Sequence, residues 1–207
     1  MNLLHAVLGA LVPPLCAACG RGCRREAIVC TRCSRRLADA EPLEGGGPPG
    51  IDCAWSSAPH EGTARDLVTA LKFRRLLPVA DLVADRIQWL APAALLSGMI
   101  VPVPTAPLRA AMRGFDPAAE IASALALRTG LPLQTCLVRR GGGRQVGKRR
   151  AARIGHPPLV QARGQVPRSV LLIDDVLTTG ATLSACAGAL RQAGAIRIAA
   201  VTFTRRL

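Results

Sequence analysis

The sequence predicts an α/β fold, a mostly parallel sheet flanked by helices, preceded by a small cysteine-bearing module. Three observations predict it. From residue 51 onward, stretches with helical apolar spacing alternate with short apolar runs of strand length. Half of the 207 residues are apolar, yet only five are aromatic and none is Tyr, so the interior must be built from Ala, Leu, Val and Ile. That suits helices laid on a sheet better than an aromatic-rich sandwich. Finally, five of the eight cysteines fall within residues 16–33, four of them as two close pairs.

The elements follow in order. Residues 1–20 are apolar but lack a basic leader, and the run is broken by Pro13 and Pro14, so it reads as a short helix packing on the body rather than a signal peptide or membrane span. A cytoplasmic protein is the expectation. Cys16, Cys19, Cys30 and Cys33 form C-x2-C, ten residues, C-x2-C. Two-residue gaps let a turn aim both thiolates at one ion, and two such turns complete a tetrahedral four-sulfur shell for structural Zn2+. So small a module has no apolar core of its own, and metal ligation would supply its folding energy. Cys23 lies in the intervening loop and could replace one ligand. Cys53, Cys136 and Cys186 are isolated among apolar neighbours and read as buried small hydrophobes. The module also carries Arg21, Arg24, Arg25, Arg32, Arg35 and Arg36, which suit either a platform against the main domain or a nucleic-acid contact.

A run of three glycines followed by two prolines within the segment 41–50 reads as a linker. The domain plan is therefore 1–40, an N-terminal helix and zinc module; 41–50, a Gly/Pro linker; and 51–207, the main domain. Within it, "TARDLVTALKF" places Ala64, Leu67, Val68 and Leu71 on one helical face, and "LLPVADLVADRIQWL" gives a second helix with Pro78 near its start. "GMIVPVP" is a buried strand stopped by proline. In "FDPAAEIASALALRTG" Asp116 is the N-cap, Pro117 the first helical residue and Gly130 the stop. "LPLQTCLV" is a further strand candidate, "RSVLLI" the clearest central strand, "LSACAGALRQAG" a helix and "IRIAAVTFTR" the last strand. Between Val138 and Pro157 seven basic residues and no acid interrupt the pattern, which reads as a flap able to order over an anion.

The formal net charge of +14, nearly all from arginine, implies anionic partners such as nucleotides, phosphosugars or nucleic acid. The few aromatics are scattered, which disfavours a dedicated groove for single-stranded nucleic acid. Chemistry concentrates in "VLLIDDVLTTGATLSA", residues 170–185. A central strand ending at Ile173 would put Asp174 and Asp175 at the C-terminal edge of the sheet, where open α/β folds bind ligands. Adjacent carboxylates can accept from vicinal sugar hydroxyls or hold a divalent ion bound to phosphates. Thr178, Thr179, Gly180, Ala181 and Thr182 precede a helix. Their backbone N–H groups and hydroxyls can wrap a phosphate, small side chains letting the backbone come close. No G-x-x-x-x-G-K-[ST] or G-x-G-x-x-G is present, excluding a P-loop or a Rossmann fingerprint.

This stretch resembles the phosphoribosyl pyrophosphate (PRPP) motif of type I phosphoribosyltransferases. Together with "CAAC", "CTRC", "GTARDLVTALKF", "VPVPTAPLRAAMRGFDPAAEIA" and "RQVGKRRAAR", it resembles the ComF family of competence-associated proteins. The resemblance implies that Asp174 and Asp175 hold the ribose hydroxyls, that residues 178–182 cradle the 5-phosphate, and that Mg2+ accompanies PRPP. It implies further that the Lys72 region is a loop meeting pyrophosphate and that Arg113, Gln145 and Arg149 border the site. Asp174, Asp175 and Lys72 are then the catalytic candidates. The chain departs from the family pattern at Arg74 and Arg75, where a glycine is usual nearby, and at Asp116 and Pro117. Two classes stay open: an enzyme transferring a phosphoribosyl group to an unknown acceptor, and a non-catalytic PRPP- or nucleotide-binding adaptor that contacts single-stranded DNA or competence-machinery proteins. His60 and His156 are weak general-base candidates.

Overall fold

The structure, a computed structural model, describes residues 14–140 and 158–206. The expected N-terminal helix and most of the basic flap, including Gln145, Arg149 and His156, lie outside the described residues. The elements in chain order are α1 (Thr31–Ala38), β1 (Leu43–Gly45), β2 (Cys53–Pro59), α2 (Gly62–Arg74), α3 (Pro78–Leu90), β3 (Met99–Pro102), α4 (Pro107–Arg113), α5 (Pro117–Thr129), β4 (Leu137–Arg139), β5 (Val160–Ala162), β6 (Ser169–Leu177), α6 (Ala181–Gln192) and β7 (Arg197–Arg205).

Five strands form a sheet in the order β1-β2-β7-β6-β3. The pairs β2–β7, β7–β6 and β6–β3 are parallel, and only the edge strand β1 runs antiparallel. This is the mostly parallel sheet expected from the alternating pattern. Side chains alternate across it. Leu171 and Ile173 of β6, with Ala199, Val201 and Phe203 of β7, face α2, α3 and α5. Val170 and Leu172, with Ile198 and Ala200, face α6. Both sides of the two central strands are covered, which is why they read as continuous apolar runs instead of an apolar–polar alternation. Burying one such Leu or Ile contributes about 1.5–3 kcal/mol.

Helix boundaries follow local chemistry. Asp116 accepts from the Ala118 N–H at 3.0 Å, Pro117 occupies the first turn of α5, and Gly130 closes it in the left-handed region. The same carboxylate accepts from the Thr105 N–H at 2.8 Å, so Asp116 also fixes the loop after β3. At the end of α2 the left-handed C-cap is Arg75, at φ 52°, the one non-glycine residue with positive φ among the described residues. The position where a glycine would relieve the backbone is filled by an arginine, whose guanidinium lies 5.9 Å from the Phe115 ring centroid.

Some expectations need correction. "LPLQTCLV" supplies only β4, which pairs with β5 as a separate two-stranded sheet, plus an isolated bridge from Leu133 to Ile100; Pro132 and Gln134 bond to Ile100 outside any ladder of length. The segment 41–50 contains β1, because its backbone completes the free edge of β2. It is also anchored further on, where Pro48 packs on Gly180. Cys136 and Cys186 are buried as expected, but Cys53 is exposed at the start of β2. The cysteine module shares the core of the main unit. Ala17 and Leu37 pack in one cluster with Leu67 and Leu71. Arg74 donates to the Ala17 carbonyl, and Arg86 of α3 donates to the carbonyls of Ala40 at 2.5 Å and Ser57 at 2.9 Å. Among the described residues no helix is long and apolar enough to cross a membrane.

Candidate functional site

The first site is the cysteine cluster. A turn closed by Gly20 N–H to Cys16 C=O, with Gly20 at φ 71°, presents Cys16 and Cys19. Cys30 is the residue before α1 and Cys33 lies in its first turn, so the positive end of that helix faces the sulfurs. The four ligand atoms lie within 4.8 Å of one another, and Cys19 Sγ is 3.7 Å from Cys30 Sγ. A tetrahedron with metal–sulfur bonds of about 2.3 Å has edges of about 3.8 Å, so the donor set fits zinc. The thiols do not share one protonation preference. Burial pushes the Cys16 thiol up, but backbone N–H groups at Cys19, Cys30 and Ala18 outweigh it and bring it to about 6. Burial, reinforced by the other three cysteines, pushes Cys33 up to about 12. Four thiolates this close require a cation between them. Cys23 stands outside the cluster, with its Sγ 3.2 Å from the Ala27 carbonyl and 3.3 Å from the Pro14 carbonyl, where the thiol donates.

The second site lies at the C-terminal edge of the main sheet. Here β6 runs on to Leu177, four residues past the expected end. The reason is its neighbour. Pairing with β3 stops at Ile173, while the long strand β7 continues alongside β6 to Leu177. Asp174 and Asp175 therefore sit on a strand that has lost one partner and kept the other. On consecutive residues their side chains diverge. Asp175, largely buried, meets Lys72 Nζ at 2.8 Å on the α2 side. Asp174 turns toward the other side and accepts from the Asp175 N–H at 2.8 Å. Burial, then the neighbouring Asp175 charge, raises the Asp174 carboxyl well above the usual carboxylate range.

Asp174, Asp175, Lys72, Arg113, Thr178 and Thr182 line a single pocket of about 210 Å³. The loop Val103–Ala106, Arg109 and Arg139 complete its wall. Thr179, Gly180 and Ala181 carry the chain from β6 into α6 beside it, and the Thr179 hydroxyl accepts weakly from the Ala181 N–H at 3.4 Å. Gly180 has φ 76°, and a Cβ there would lie 2.5 Å from Pro48 Cβ, so both conformation and close approach require glycine.

Lys72 does not lie in a loop. It sits near the C-terminal end of α2, where it neutralises Asp175 directly. Arg109, which the sequence does not single out, joins Arg113 in the pocket wall; it lies one turn earlier in "RAAMRG", and the spacing of four on an exposed helix is the signal that pairs them. Arg139 was visible only as one of a basic run.

A second, larger cavity of about 1090 Å³ adjoins the first and shares Lys72, Arg109, Arg113, Val176 and Thr178 with it. It opens between α2 and α4. Arg113 lies over the Phe73 ring, 5.2 Å from its centroid. His60 lines this groove, with Nδ1 2.8 Å from Thr204 Oγ1. The Thr204 hydroxyl also lies 3.4 Å from the Asp175 carbonyl; in the tautomer protonated at Nδ1, Thr204 accepts from that N–H and Nε2 is the ring's acceptor. Burial, and then Arg206, Lys72 and Arg65, hold the His60 pKa below its ordinary value.

No protein-family model and no curated protein matches the chain. Among solved structures it is similar to an allosteric regulatory enzyme of purine biosynthesis, at 22% identity over 59% of this chain and 24% of that one, with a TM-score of 0.40. It is also similar to an orotate phosphoribosyltransferase from Aeropyrum pernix, at 25% identity over 66% of this chain and 62% of that one, TM-score 0.36. A third is an adenine phosphoribosyltransferase from Leishmania tarentolae, at 13% identity over 77% of this chain and 94% of that one, TM-score 0.40. The chain thus spans about a quarter of the first of these proteins and under two thirds of the second.

Proposed function

We propose that the small pocket binds PRPP, and that the chain is a phosphoribosyltransferase of the ComF type. The observation that carries this reading is the convergence of Asp174, Asp175, Thr178 and Thr182 on one polar pocket at the end of a central parallel strand, with the N-terminus of α6 beside it. Carboxylates there accept from the ribose 2- and 3-hydroxyls, and the turn 178–182 offers N–H and hydroxyl donors to the 5-phosphate. Lys72, Arg109, Arg113 and Arg139 supply cations for a pyrophosphate. Carboxylate oxygens of Asp174 and Asp175, both in the pocket lining, are also suitable donors for Mg2+, which would neutralise phosphate charge when bound with PRPP. Arg149, which the resemblance puts near the site, belongs to the same proposal.

In the reaction, an acceptor atom forms a bond to C1 of the ribose while the bond from C1 to the pyrophosphate oxygen breaks. Pyrophosphate leaves with the electron pair, and the acceptor's proton passes to a base. Carboxylates near the sugar favour the positive charge that develops on it, and the cationic wall favours the leaving group.

We propose further, on that resemblance, a role in DNA uptake with single-stranded DNA or a competence protein as partner; filter binding over a salt series tests the DNA contact, since phosphate contacts impose a steep salt dependence. The reading as a whole is tested by calorimetric titration of Mg·PRPP into the parent, Asp174→Ala and Asp175→Ala proteins. Binding by the parent and its loss in both variants is expected. Undiminished binding in both would sink the ribose assignment. Pyrophosphate release over a panel of acceptors then separates an enzyme from an adaptor.

A further inference from the structure

The groove between α2 and α4 is built unlike the pocket it adjoins. The small pocket is almost wholly polar, whereas the groove exposes Phe73, Leu108 and Met112, which are 71%, 60% and 79% accessible, and is also lined by the half-buried Phe115. A pyrophosphate has no use for such walls. The groove's charged lining is cationic throughout. Lys72, Arg109 and Arg113 are shared with the small pocket, while Arg65, Arg75 and Arg206 line the groove but not that pocket; Arg65 and Arg206 also border a neighbouring hollow that holds Glu61. Arg65 has a weak surface contact with Asp66 at 3.9 Å, but no carboxylate lines the groove among the described residues.

Two of the aromatic rings are already stacked with guanidinium groups, Phe73 under Arg113 and Phe115 under Arg75. Each pair joins an apolar face to fixed positive charge, the arrangement that recognises a flat ring bearing an anion. The volume is that of a small-molecule site, and the groove meets the small pocket at Lys72, Val176 and Thr178.

We propose that this groove is the acceptor subsite and that it takes a planar aromatic compound carrying an acidic group, a carboxylate or a phosphate. The acceptor role rests on the PRPP reading of the small pocket; the ligand class rests on the groove itself. With a ring laid on Phe73, Arg65 and Arg206 are the cations of the same lining that stand outside both the small pocket and the stacked pairs, and they would take its acidic group. His60, in the tautomer protonated at Nδ1, offers Nε2 to a ring N–H.

The test is a titration of the full chain, with and without Mg·PRPP, using four probes: pyridine-3-carboxylate, pyridine-3-carboxamide, phenyl phosphate and inorganic phosphate. At least one of the two acidic rings should bind about tenfold or more tighter than both the neutral amide and the ringless anion, and which one does identifies the acid. Phe73→Ala removes no buried side chain and should weaken that binding about tenfold, the loss of one stacking face. Arg206→Gln should weaken it and abolish the preference over the amide. In both variants Mg·PRPP binding should persist, and in Asp174→Ala the aromatic anion should still bind while PRPP does not.

Binding of neither acidic ring more tightly than the amide overturns the proposal, as does failure of every aromatic probe, or capture of oligothymidylate through Phe73 in their place. If the acidic ring binds as described but PRPP never does, the ligand class stands and the donor reading of the small pocket falls.

Discussion

Replacing Lys72 with Met tests how the acidic edge of the sheet is balanced. Lys72 is 21% and Asp175 9% accessible, and their charged atoms are 2.8 Å apart. At an effective dielectric of 20 that separation gives about 6 kcal/mol of attraction, most of it offset by the desolvation of both ions. The net value of the pair is therefore small, but the cost of removing one partner is not. Methionine keeps most of the stem's packing and leaves Asp175 charged, largely buried and without its cation. Breaking a fully buried pair costs about 3–5 kcal/mol, and access to the pocket lowers that to about 2–3 kcal/mol here. Urea unfolding of the parent, Lys72→Met, Asp175→Asn and the double variant measures it. Lys72→Met should lose that amount at unchanged m. The double variant should recover most of the loss, giving a coupling of about 2 kcal/mol. A Lys72→Met protein within about 0.5 kcal/mol of the parent, or simple additivity in the double variant, would refute the argument.

Asp174→Asn should raise stability in the absence of ligand by about 1 kcal/mol at neutral pH, a common size for relieving strain at a functional site, while abolishing PRPP binding. The sign follows from the raised Asp174 carboxyl. Its contribution is fully present below the unfolded value and is lost as pH rises through the folded one. The melting-temperature advantage of the variant should therefore shrink toward zero in acid; a constant difference across pH counts against it. Gly180→Val should cost about 2 kcal/mol or more, from the left-handed backbone and the collision with Pro48, as read by thermal unfolding. One zinc per chain is expected by elemental analysis. Chelation or Cys19→Ser should melt the module and expose the α2 face under Ala17 and Leu37, whereas Cys23→Ser should keep the metal.

The acids and the phosphate turn were legible because each is written contiguously, strand then carboxylates then small residues. The cysteine spacing was legible for the same reason: a two-residue gap geometrically implies a chelating turn. The end of β6 was not, since it depends on how far β7 continues beside it, and β7 lies 20 residues further along the chain. Nor was the role of Lys72, which reads as a loop residue by resemblance and proves to be a helix residue paired with Asp175 across 103 positions.

What the sequence by itself determined was the parallel α/β class, the caps at Asp116 and Gly130, and the two clusters of chemistry, all set by local periodicity, turn preference and ligand spacing. Only the tertiary structure decided which way each carboxylate faces, that Cys23 stays outside the metal shell, and that Phe73 and Phe115, isolated in the chain, meet across a basic groove. These depend on which strand neighbours persist and which helix faces converge, and no local pattern encodes either.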